Sequence, residues 1–276
     1  MSDAPNYYQR SPAPIREGYW KIRDYLRWCL SSQGRRSRRS LQGLKDHHAG
    51  ESCIVCCNGP SLNDVDFSSL GTIPCFGLNK IHLKFPSTNW RPRYIVAVNA
   101  MVIEQTASVY DEMSIPLFAS RLAAHHLRRI EAVHLLHPLP DMLFSTDPSI
   151  GICEGFTVTY VALQLAYYLG FKEVALVGCD HSFASKGLAN SVTTTRGNDA
   201  NHFDPNYFAH GVSWQLPDLE GSEYAYRLAR DAYQRAGRTI YNCTAGGFLE
   251  TFPRMSLANF LARHHRDLTS PPKLDA

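Results

Sequence analysis

The residues best suited to chemistry follow an apolar, β-favouring run and form the turn Asn58-Gly59-Pro60-Ser61. A turn from a buried strand into a helix presents backbone N–H groups at the carboxyl edge of a parallel sheet, where anions and usually phosphates bind. Gly59 permits a close backbone approach, and Ser61 can cap the helix that residues 63–67 are expected to begin. The turn therefore predicts a pocket for a nucleotide or a sugar nucleotide.

Polar side chains also end three further apolar runs. Asn79, Asn99 and the pair Asp180-His181 each follow a run that favours a strand. Because the carboxyl ends of parallel strands share one edge, we expect these side chains to converge with the Asn58–Ser61 turn. Neutral amides there can bond to ribose, base and phosphate. Each asparagine alone could equally be a turn or capping residue, but their coincidence favours a pocket.

A second polar cluster lies within residues 180–218, a long segment without convincing periodicity. Loops of this length in a compact domain are usually functional lids or disordered, and a lid is favoured because the segment follows the strongest strand. His202 can accept a proton near neutral pH, and a neighbouring Asp can orient its ring. His210 is the competing candidate for the base. The other residues assigned to the lid and acceptor are Asn198, Asp199, Asp204 and Tyr207.

Common motifs of other enzyme classes are absent from the sequence. It contains no G-x-G-x-x-G fingerprint, G-x-x-x-x-G-K-[ST] loop or G-x-S-x-G elbow, which disfavours simple dehydrogenases, P-loop kinases and α/β-hydrolases. No D-x-D pair follows a strand, so a diphosphate sugar donor held by a metal lacks its usual ligands. Cys53 and Cys56 have no second ligand pair at a suitable spacing, so the eight cysteines favour free, mostly buried thiols in a reducing compartment.

The elements that would position these residues alternate along the chain. Runs that favour strands occur at residues 73–78, 94–98, 114–119, 172–178 and 239–241. Runs that favour helices occur among them at residues 121–133, 156–169 and 220–236. This alternation predicts an α/β fold with a mostly parallel, Rossmann-like sheet flanked by helices. A long lid-like loop and an N-terminal helical extension complete the expected architecture.

The chain divides into three predicted regions. Residues 1–50 are expected to be a mobile basic extension with one amphipathic helix, 51–265 the nucleotide-sugar-binding catalytic domain, and 266–276 a disordered tail. The helical stripe over residues 19–30, followed by the basic cluster Arg35–Arg39, indicates either a solvated linker after a docking helix or attachment to an anionic membrane surface.

Charge and hydropathy place the protein in the cytoplasm by default. The net charge of +3 is mild, no apolar run is long enough to span a bilayer, and residues 1–16 lack an apolar signal core. The more specific alternative is a cytoplasmic protein that binds peripherally to the inner face of the membrane. No nucleic-acid partner is expected, and the sequence does not determine the oligomeric state.

The order and spacing of these pieces resemble two related groups. One is the bacterial sialyltransferases of glycosyltransferase family 42, and the other is the wider domain of unknown function 115 superfamily, which includes 6-hydroxymethylpterin diphosphokinases. The resemblance covers about residues 52–260. Its motifs are Asn58-Gly59-Pro60-Ser61-Leu62, Asn79, Asn99, Gly155 ahead of a helix, Gly178-Cys179-Asp180, and Asn198-Asp199 ahead of His202-Phe203.

The resemblance implies roles for these positions. In the sialyltransferases the residues that match Asn58, Gly59, Ser61, Asn79 and Asn99 contact the donor nucleotide, and that group requires no metal. Where that family carries its base, this chain has Asn206, so His202 or His210 would act instead. The residues assigned to donor-nucleotide binding are Asn58, Gly59, Pro60, Ser61, Asn79, Asn99, Gly155, Asp180 and His181.

The function expected from the sequence is a glycosyltransferase of surface-polysaccharide or glycoconjugate biosynthesis. As the resemblance implies, it would move a sialic-acid-like sugar from a CMP donor to a glycan or glycolipid hydroxyl, with no cofactor required. The alternative is pyrophosphate transfer from ATP, as in 6-hydroxymethylpterin diphosphokinases, in which case Mg²⁺ would be bound by Asp180, Asp199 or Asp204. A third alternative is a nucleotide-binding protein without catalysis.

Overall fold

Helices and strands alternate through most of the chain. The structure is a computed structural model that describes residues 14–185, 187–209 and 211–269. In chain order the elements are α1 (Pro14–Leu30), α2 (Ser32–Gln42), β1 (Ser52–Cys56), β2 (Cys75–Leu78), β3 (Tyr94–Ala97), α3 (Ala100–Glu112), β4 (Leu117–Ser120), β5 (Val133–Leu136), α4 (Val158–Tyr168), β6 (Glu173–Val177), β7 (Val192–Thr194), β8 (Ser213–Gln215), α5 (Leu219–Arg235), β9 (Thr239–Asn242) and α6 (Leu257–Thr269).

Seven of the strands form one parallel sheet in the order β5-β4-β3-β2-β1-β6-β9. The chain moves outward from β1 to β5, and α4 then carries it back across the sheet to β6 on the other side of β1. The strand order therefore reverses between β1 and β6, where open α/β sheets bind their ligands. The predicted Rossmann-like α/β fold is confirmed.

Successive residues of β1 face two separate cores. Cys53 and Val55 pack with α4 and α5, whereas Ile54 and Cys56 pack with α3, α6 and aromatic side chains from the segment after β6. This alternation follows from the two-residue period of a strand. It also places Cys53 and Cys56 on opposite faces, and none of the eight cysteines, all of which the structure describes, forms a disulfide.

Helix α4 lies across the middle of the sheet. Thr157 caps its first turn, and nine of its eleven residues are buried, including Tyr160, Leu165 and the polar Gln164. The backbone then turns at Gly170 with φ +96°, a conformation that glycine adopts without strain. The sequence predicted this helix, at residues 156–169, within two residues of its bounds.

The segment after β6 is more ordered than its sequence indicates. It contains the antiparallel pair β7 and β8, which corrects the expectation of a stretch without any periodic element. Strands of three residues are too short to give a visible period. We call residues 181–218 the lid. The structure describes all of them except positions 186 and 210. Its aromatic residues, among them Tyr207, Phe208 and Trp214, are buried in the core beside β1.

The N-terminal region holds two helices where one was predicted. Helix α2 contains the basic cluster Arg35–Arg39 and contacts β5, and Ser37 Oγ donates a hydrogen bond of 2.5 Å to the Leu135 carbonyl. The cluster is thus part of a docked helix and not a solvated linker. The apolar residues of α2 are too few to give a periodic signal. Residues 1–13 of the predicted extension lie outside the described residues.

Two further boundaries differ from the predictions. The stretch expected to be helical at residues 121–133 forms two short 3₁₀ helices, Arg121–His126 and Ile130–Ala132, ahead of the edge strand β5. Helix α6 continues to Thr269, past the predicted start of the tail, and residues 270–276 lie outside the described residues. In the described ranges, no helix is both long enough and apolar enough to cross a membrane.

Candidate functional site

The turn after β1 meets the segment after β6 at the point where the strand order reverses. Asp180 Oδ2 accepts hydrogen bonds from Ser61 Oγ at 2.8 Å and from the Ser61 backbone N–H at 3.3 Å. The Gly59 N–H donates to the Gly178 carbonyl at 2.9 Å. A Cβ atom on Gly59 would overlap Asp180 Oδ2, so the turn closes only with glycine at this position. The structure thus brings Asn58–Ser61 and Asp180 together, as the sequence predicted.

The predicted helix after this turn is wrong. Residues Pro60–Asp64 form a five-residue 3₁₀ helix, which is too short for a substantial helix dipole. Its N–H groups are also engaged: Ser61 donates to Asp180, Leu62 donates to the Gly59 carbonyl, and proline has none. The turn consequently presents a carboxylate, which suits ribose hydroxyls, and it offers no ready cradle for a phosphate.

Two asparagines at the ends of neighbouring strands carry unsatisfied acceptors. Asn58 follows β1 and Asn79 follows β2, and the side-chain Oδ1 atom of each is buried without a hydrogen-bond partner in the described part of the chain. A buried polar atom in this state costs about 1–3 kcal/mol. Asn79 also has φ +45°, a strained backbone that asparagine tolerates better than most residues. Each oxygen can therefore accept an N–H or O–H group that the described residues do not supply.

Asn99 differs from these two asparagines. Its Oδ1 caps α3 by accepting from the Met101 and Val102 N–H groups at 3.0 and 3.3 Å, and its Nδ2 donates to Gln215 Oε1 of the lid at 2.9 Å. The side chain already has partners at both ends. Its predicted contact with a nucleotide would require the Gln215 bond to break.

His202 forms a close pair with Asp199 in the lid. His202 Nδ1 lies 2.7 Å from Asp199 Oδ2, and the Asp199 side chain is fully buried. Burial acts to raise the pKa of Asp199, but the bonds from His202 and from backbone N–H groups outweigh it and lower that pKa, so the carboxylate stays ionised. With the Nδ1 proton donated to Asp199, Nε2 is the ring nitrogen left to accept a proton.

Neighbouring residues attach this pair to the edge of the sheet. The Phe203 N–H donates to the Asn58 carbonyl at 3.0 Å, and Asn63 Nδ2 donates to the Phe203 carbonyl at 2.8 Å. On its other side, the His202 ring stacks on Tyr207, whose hydroxyl lies 3.4 Å from the Lys80 N–H at the end of β2. The lid thus places His202 beside the two strands that carry the unsatisfied asparagine oxygens.

Sequence reasoning missed Lys80, a buried lysine directly after Asn79. Its Nζ donates to the Tyr207 carbonyl at 2.8 Å and lies 4.6 Å from the centre of the Phe208 ring. Burial lowers the pKa of Lys80 to about 8, although the negative charge of Asp199 opposes the shift. Lys80 therefore fastens the lid to the sheet. The sequence did contain a signal for this residue, because Lys80 stands between Asn79 and Ile81 directly after a strand-like run.

A second residue missed was Glu154, beside the predicted Gly155. Burial raises the pKa of Glu154 to about 7, and a hydrogen bond with Ser120 at the end of β4 opposes that shift. Gly155 has φ +55°, and a Cβ there would overlap the Tyr160 ring, so the fold itself explains this glycine. Its predicted nucleotide contact stays a prediction.

His181 directly follows Asp180 and pairs with helix α5. Its Nε2 is 3.1 Å from Glu223 Oε2 of α5, and its ring meets Tyr226 edge-on. Burial lowers the pKa of His181, while Glu223 acts to raise it. The His181–Glu223 pair borders the Ser61–Asp180 contact, and its predicted role in nucleotide binding stays a prediction.

The remaining predicted lid residues have varied environments. Asn198 is exposed, and Asp204 Oδ1 accepts from the Asn206 N–H at 2.7 Å. Tyr207 is 1% exposed, so it supports His202 from the core and presents no surface to an acceptor, which corrects its predicted contact role. His210 lies outside the described residues.

Metal ligands were predicted only under the diphosphokinase alternative. Asp180, Asp199 and Asp204 bond to Ser61, His202 and the Asn206 backbone respectively. Within the described ranges, no group of three or more His, Cys, Asp or Glu side chains is arranged to hold a metal ion. A Mg²⁺ ion that arrives with substrate phosphates needs one or two carboxylates, and of these three Asp180 lies at the point where the strand order reverses.

Comparisons with known proteins give one similar structure. No protein-family description and no curated protein matches the sequence. The structure is similar to that of an MAf glycosyltransferase from Magnetospirillum magneticum AMB-1, with a TM-score of 0.49 and 17% sequence identity. The similarity covers 94% of this chain and 45% of that protein, so the chain spans less than half of its length.

Proposed function

We propose that this protein is a glycosyltransferase that moves a sugar from a CMP donor to a hydroxyl of a glycan or glycolipid. The observation that carries the proposal is the His202–Asp199 pair, held beside Asn58 at the edge where the strand order reverses. A histidine with one nitrogen bonded to a buried carboxylate has its other nitrogen oriented as a general base.

The donor nucleoside is assigned to the ends of β1, β2 and β6. The unpartnered oxygens of Asn58 and Asn79 can accept hydrogen bonds from the exocyclic amine of cytosine and from ribose hydroxyls. Asp180, already bonded to Ser61, can accept from a ribose diol at the same edge. Removing the cost of two unsatisfied oxygens favours the nucleotide-bound state.

The transfer step follows from the position of His202. The acceptor hydroxyl gives its proton to His202 Nε2 while its oxygen forms the new bond to the anomeric carbon. The bond between that carbon and the donor phosphate oxygen breaks, and CMP leaves with the bonding electrons. Asp199 stabilises the imidazolium through the bond to Nδ1. A sialic-acid-like sugar is the donor substituent that we propose, as the sequence resemblance implies.

A thermal-shift screen with CMP, CDP, ADP and ATP, each with and without Mg²⁺, tests this proposal. A ligand at 100 times its dissociation constant adds about 2.7 kcal/mol, which raises the melting temperature of a chain of this size by several degrees. We expect a cytidine-selective shift that EDTA does not change. An adenine-selective, Mg²⁺-dependent shift would instead support pyrophosphate transfer, and indifference to all four nucleotides would refute nucleotide binding.

A further inference from the structure

Helix α1 has two apolar faces, and one of them is docked on the rest of the chain. On the docked face, Trp28 is buried and stacks on His137 with ring centres 6.2 Å apart, and Tyr25 meets the same ring at 5.4 Å. Asp24 forms an ion pair with Arg121, which fixes the helix against the end of β4. These contacts hold α1 in a defined orientation.

The opposite face of α1 is an apolar stripe open to solvent. The side chains of Tyr19, Ile22, Leu26 and Leu30 are 60%, 63%, 52% and 73% exposed. Their spacing of three, four and four residues places them on one side of the helix. Single exposed apolar residues are common, but a continuous stripe on one helix marks an interaction surface.

Basic side chains border this stripe. The Arg23 guanidinium lies 4.9 Å from the centre of the Trp20 ring. Arg27, which directly follows Leu26 of the stripe, is exposed. From α2, Arg35 donates to the Leu30 carbonyl and Arg38 donates to Cys29 Sγ at 2.8 Å, so both arginines reach the end of α1. A second copy of this chain would bring a face of the same charge, which opposes self-association through it.

We propose that this face of α1 lies in the headgroup region of an anionic lipid bilayer. The apolar stripe would enter the boundary of the acyl chains, and the arginines would pair with lipid phosphates. An amphipathic helix with Trp and Tyr near one end and Arg along its flank has the composition of such interfacial helices. The charge of the flank selects an anionic surface over a neutral one.

The proposal does not depend on the glycosyltransferase assignment, because the vesicles that test it contain neither donor nor acceptor. Co-sedimentation compares vesicles of phosphatidylcholine alone with vesicles of phosphatidylcholine and phosphatidylglycerol. We expect binding to the mixed vesicles, weakened by added salt. Equal binding to both lipids, or binding to neither, would overturn the proposal.

Variants distinguish the contribution of the apolar stripe to vesicle binding from that of the arginines. Ile22→Asp with Leu26→Asp should weaken binding to the mixed vesicles about tenfold or more, since the buried aliphatic area is lost. Replacing Arg27 with Gln should weaken it about fivefold. The control is Leu188→Asp in the lid, an 82% exposed position that should leave binding unchanged.

The oligomeric state shows whether a second copy of this chain, in place of a bilayer, covers the apolar stripe. Light scattering is measured on the full chain and on the Ile22→Asp, Leu26→Asp variant. A monomer in both cases agrees with the bilayer proposal. A dimer that this variant converts to a monomer would show that a second copy covers the stripe, and would overturn it.

Discussion

The imidazole ring of His202 lies flat on the phenol ring of Tyr207, with ring centres 4.0 Å apart and planes inclined by 4°. Tyr207 is itself buried and bonded, through its carbonyl, to the ammonium group of Lys80. The position of His202 is therefore set by the protein core on one side and by the Asp199 carboxylate on another. A loop histidine held in this way can act with the precision of a residue on a rigid element.

Replacing Asp199 with Asn tests whether this carboxylate positions the base. The Asn amide can donate to His202 Nδ1, which would move the ring proton to Nε2 and remove the acceptor. We expect turnover to fall about 10²–10⁴-fold while CMP affinity changes little. Nitrogen NMR of the His202 ring should report the change of tautomer. An unchanged tautomer together with full turnover would contradict this role, and the exposed His125→Ala is the matched control.

Replacing Asn58 with Leu tests the unsatisfied oxygen at the end of β1. The variant removes a buried acceptor that has no partner in the described part of the chain, so we expect the unliganded protein to gain about 1 kcal/mol of unfolding free energy. The stabilisation by CMP should disappear in the same variant. Urea denaturation with and without CMP measures both effects. A variant that keeps the CMP effect would place the nucleotide elsewhere.

Gly59→Ala tests the contact between the two central strand ends. The new Cβ would overlap Asp180 Oδ2 and approach the Gly178 carbonyl to 2.8 Å, so the Ser61–Asp180 bonds must open. We expect a loss of about 1–3 kcal/mol of unfolding free energy, with weaker CMP binding. Gly18→Ala in α1 is the control, because no atom lies within 4 Å of its Cβ. Equal urea midpoints for the two variants would refute the close packing.

Glu154 makes the stability of the protein depend on pH. Its pKa is about 7 in the folded protein and 4.5 in the unfolded chain, so the folded state holds the extra proton between these values. Stability contributed by the neutral form is full below pH 4.5 and is lost as the pH rises to about 7, by on the order of 3 kcal/mol at most.

Glu154→Gln should remove this dependence. We expect the variant to match the parent protein near pH 4.5 and to be more stable above pH 7, as measured by urea denaturation at both values. Glu104→Gln, at an exposed carboxyl on α3, should keep the parent profile. A Glu154→Gln variant with the pH profile of the parent would show that this carboxyl does not titrate as described.

The sequence predicted which candidate residues lie together where simple rules of sheets and local contacts apply. Asn58 and Asp180 converge because both follow strands of one parallel sheet, and that rule needs only the strand ends. Asp199 and His202 are three residues apart, so their pairing is local. The fold class followed in the same way from the alternation of strands and helices.

Tertiary contacts account for what the sequence did not predict. The Tyr207 carbonyl accepts a hydrogen bond from Lys80, which is 127 residues away in the chain. The Ser61–Asp180 bond, which fills the expected anion position with a carboxylate, joins residues 119 positions apart. No local sequence pattern predicts contacts between residues so far apart in the chain. The edge strand β5 was missed because its first residue, Val133, was assigned to the helix predicted at residues 121–133.

The most direct test of the central claim is the release of CMP from CMP-sialic acid by the parent protein and by His202→Ala, with CMP affinity measured on both. We expect the parent protein to release CMP without added metal. The variant should bind CMP with nearly unchanged affinity and release it at least 100-fold more slowly, as loss of a general base requires. Equal rates of release from the two proteins, or no release by the parent protein, would contradict the proposed function.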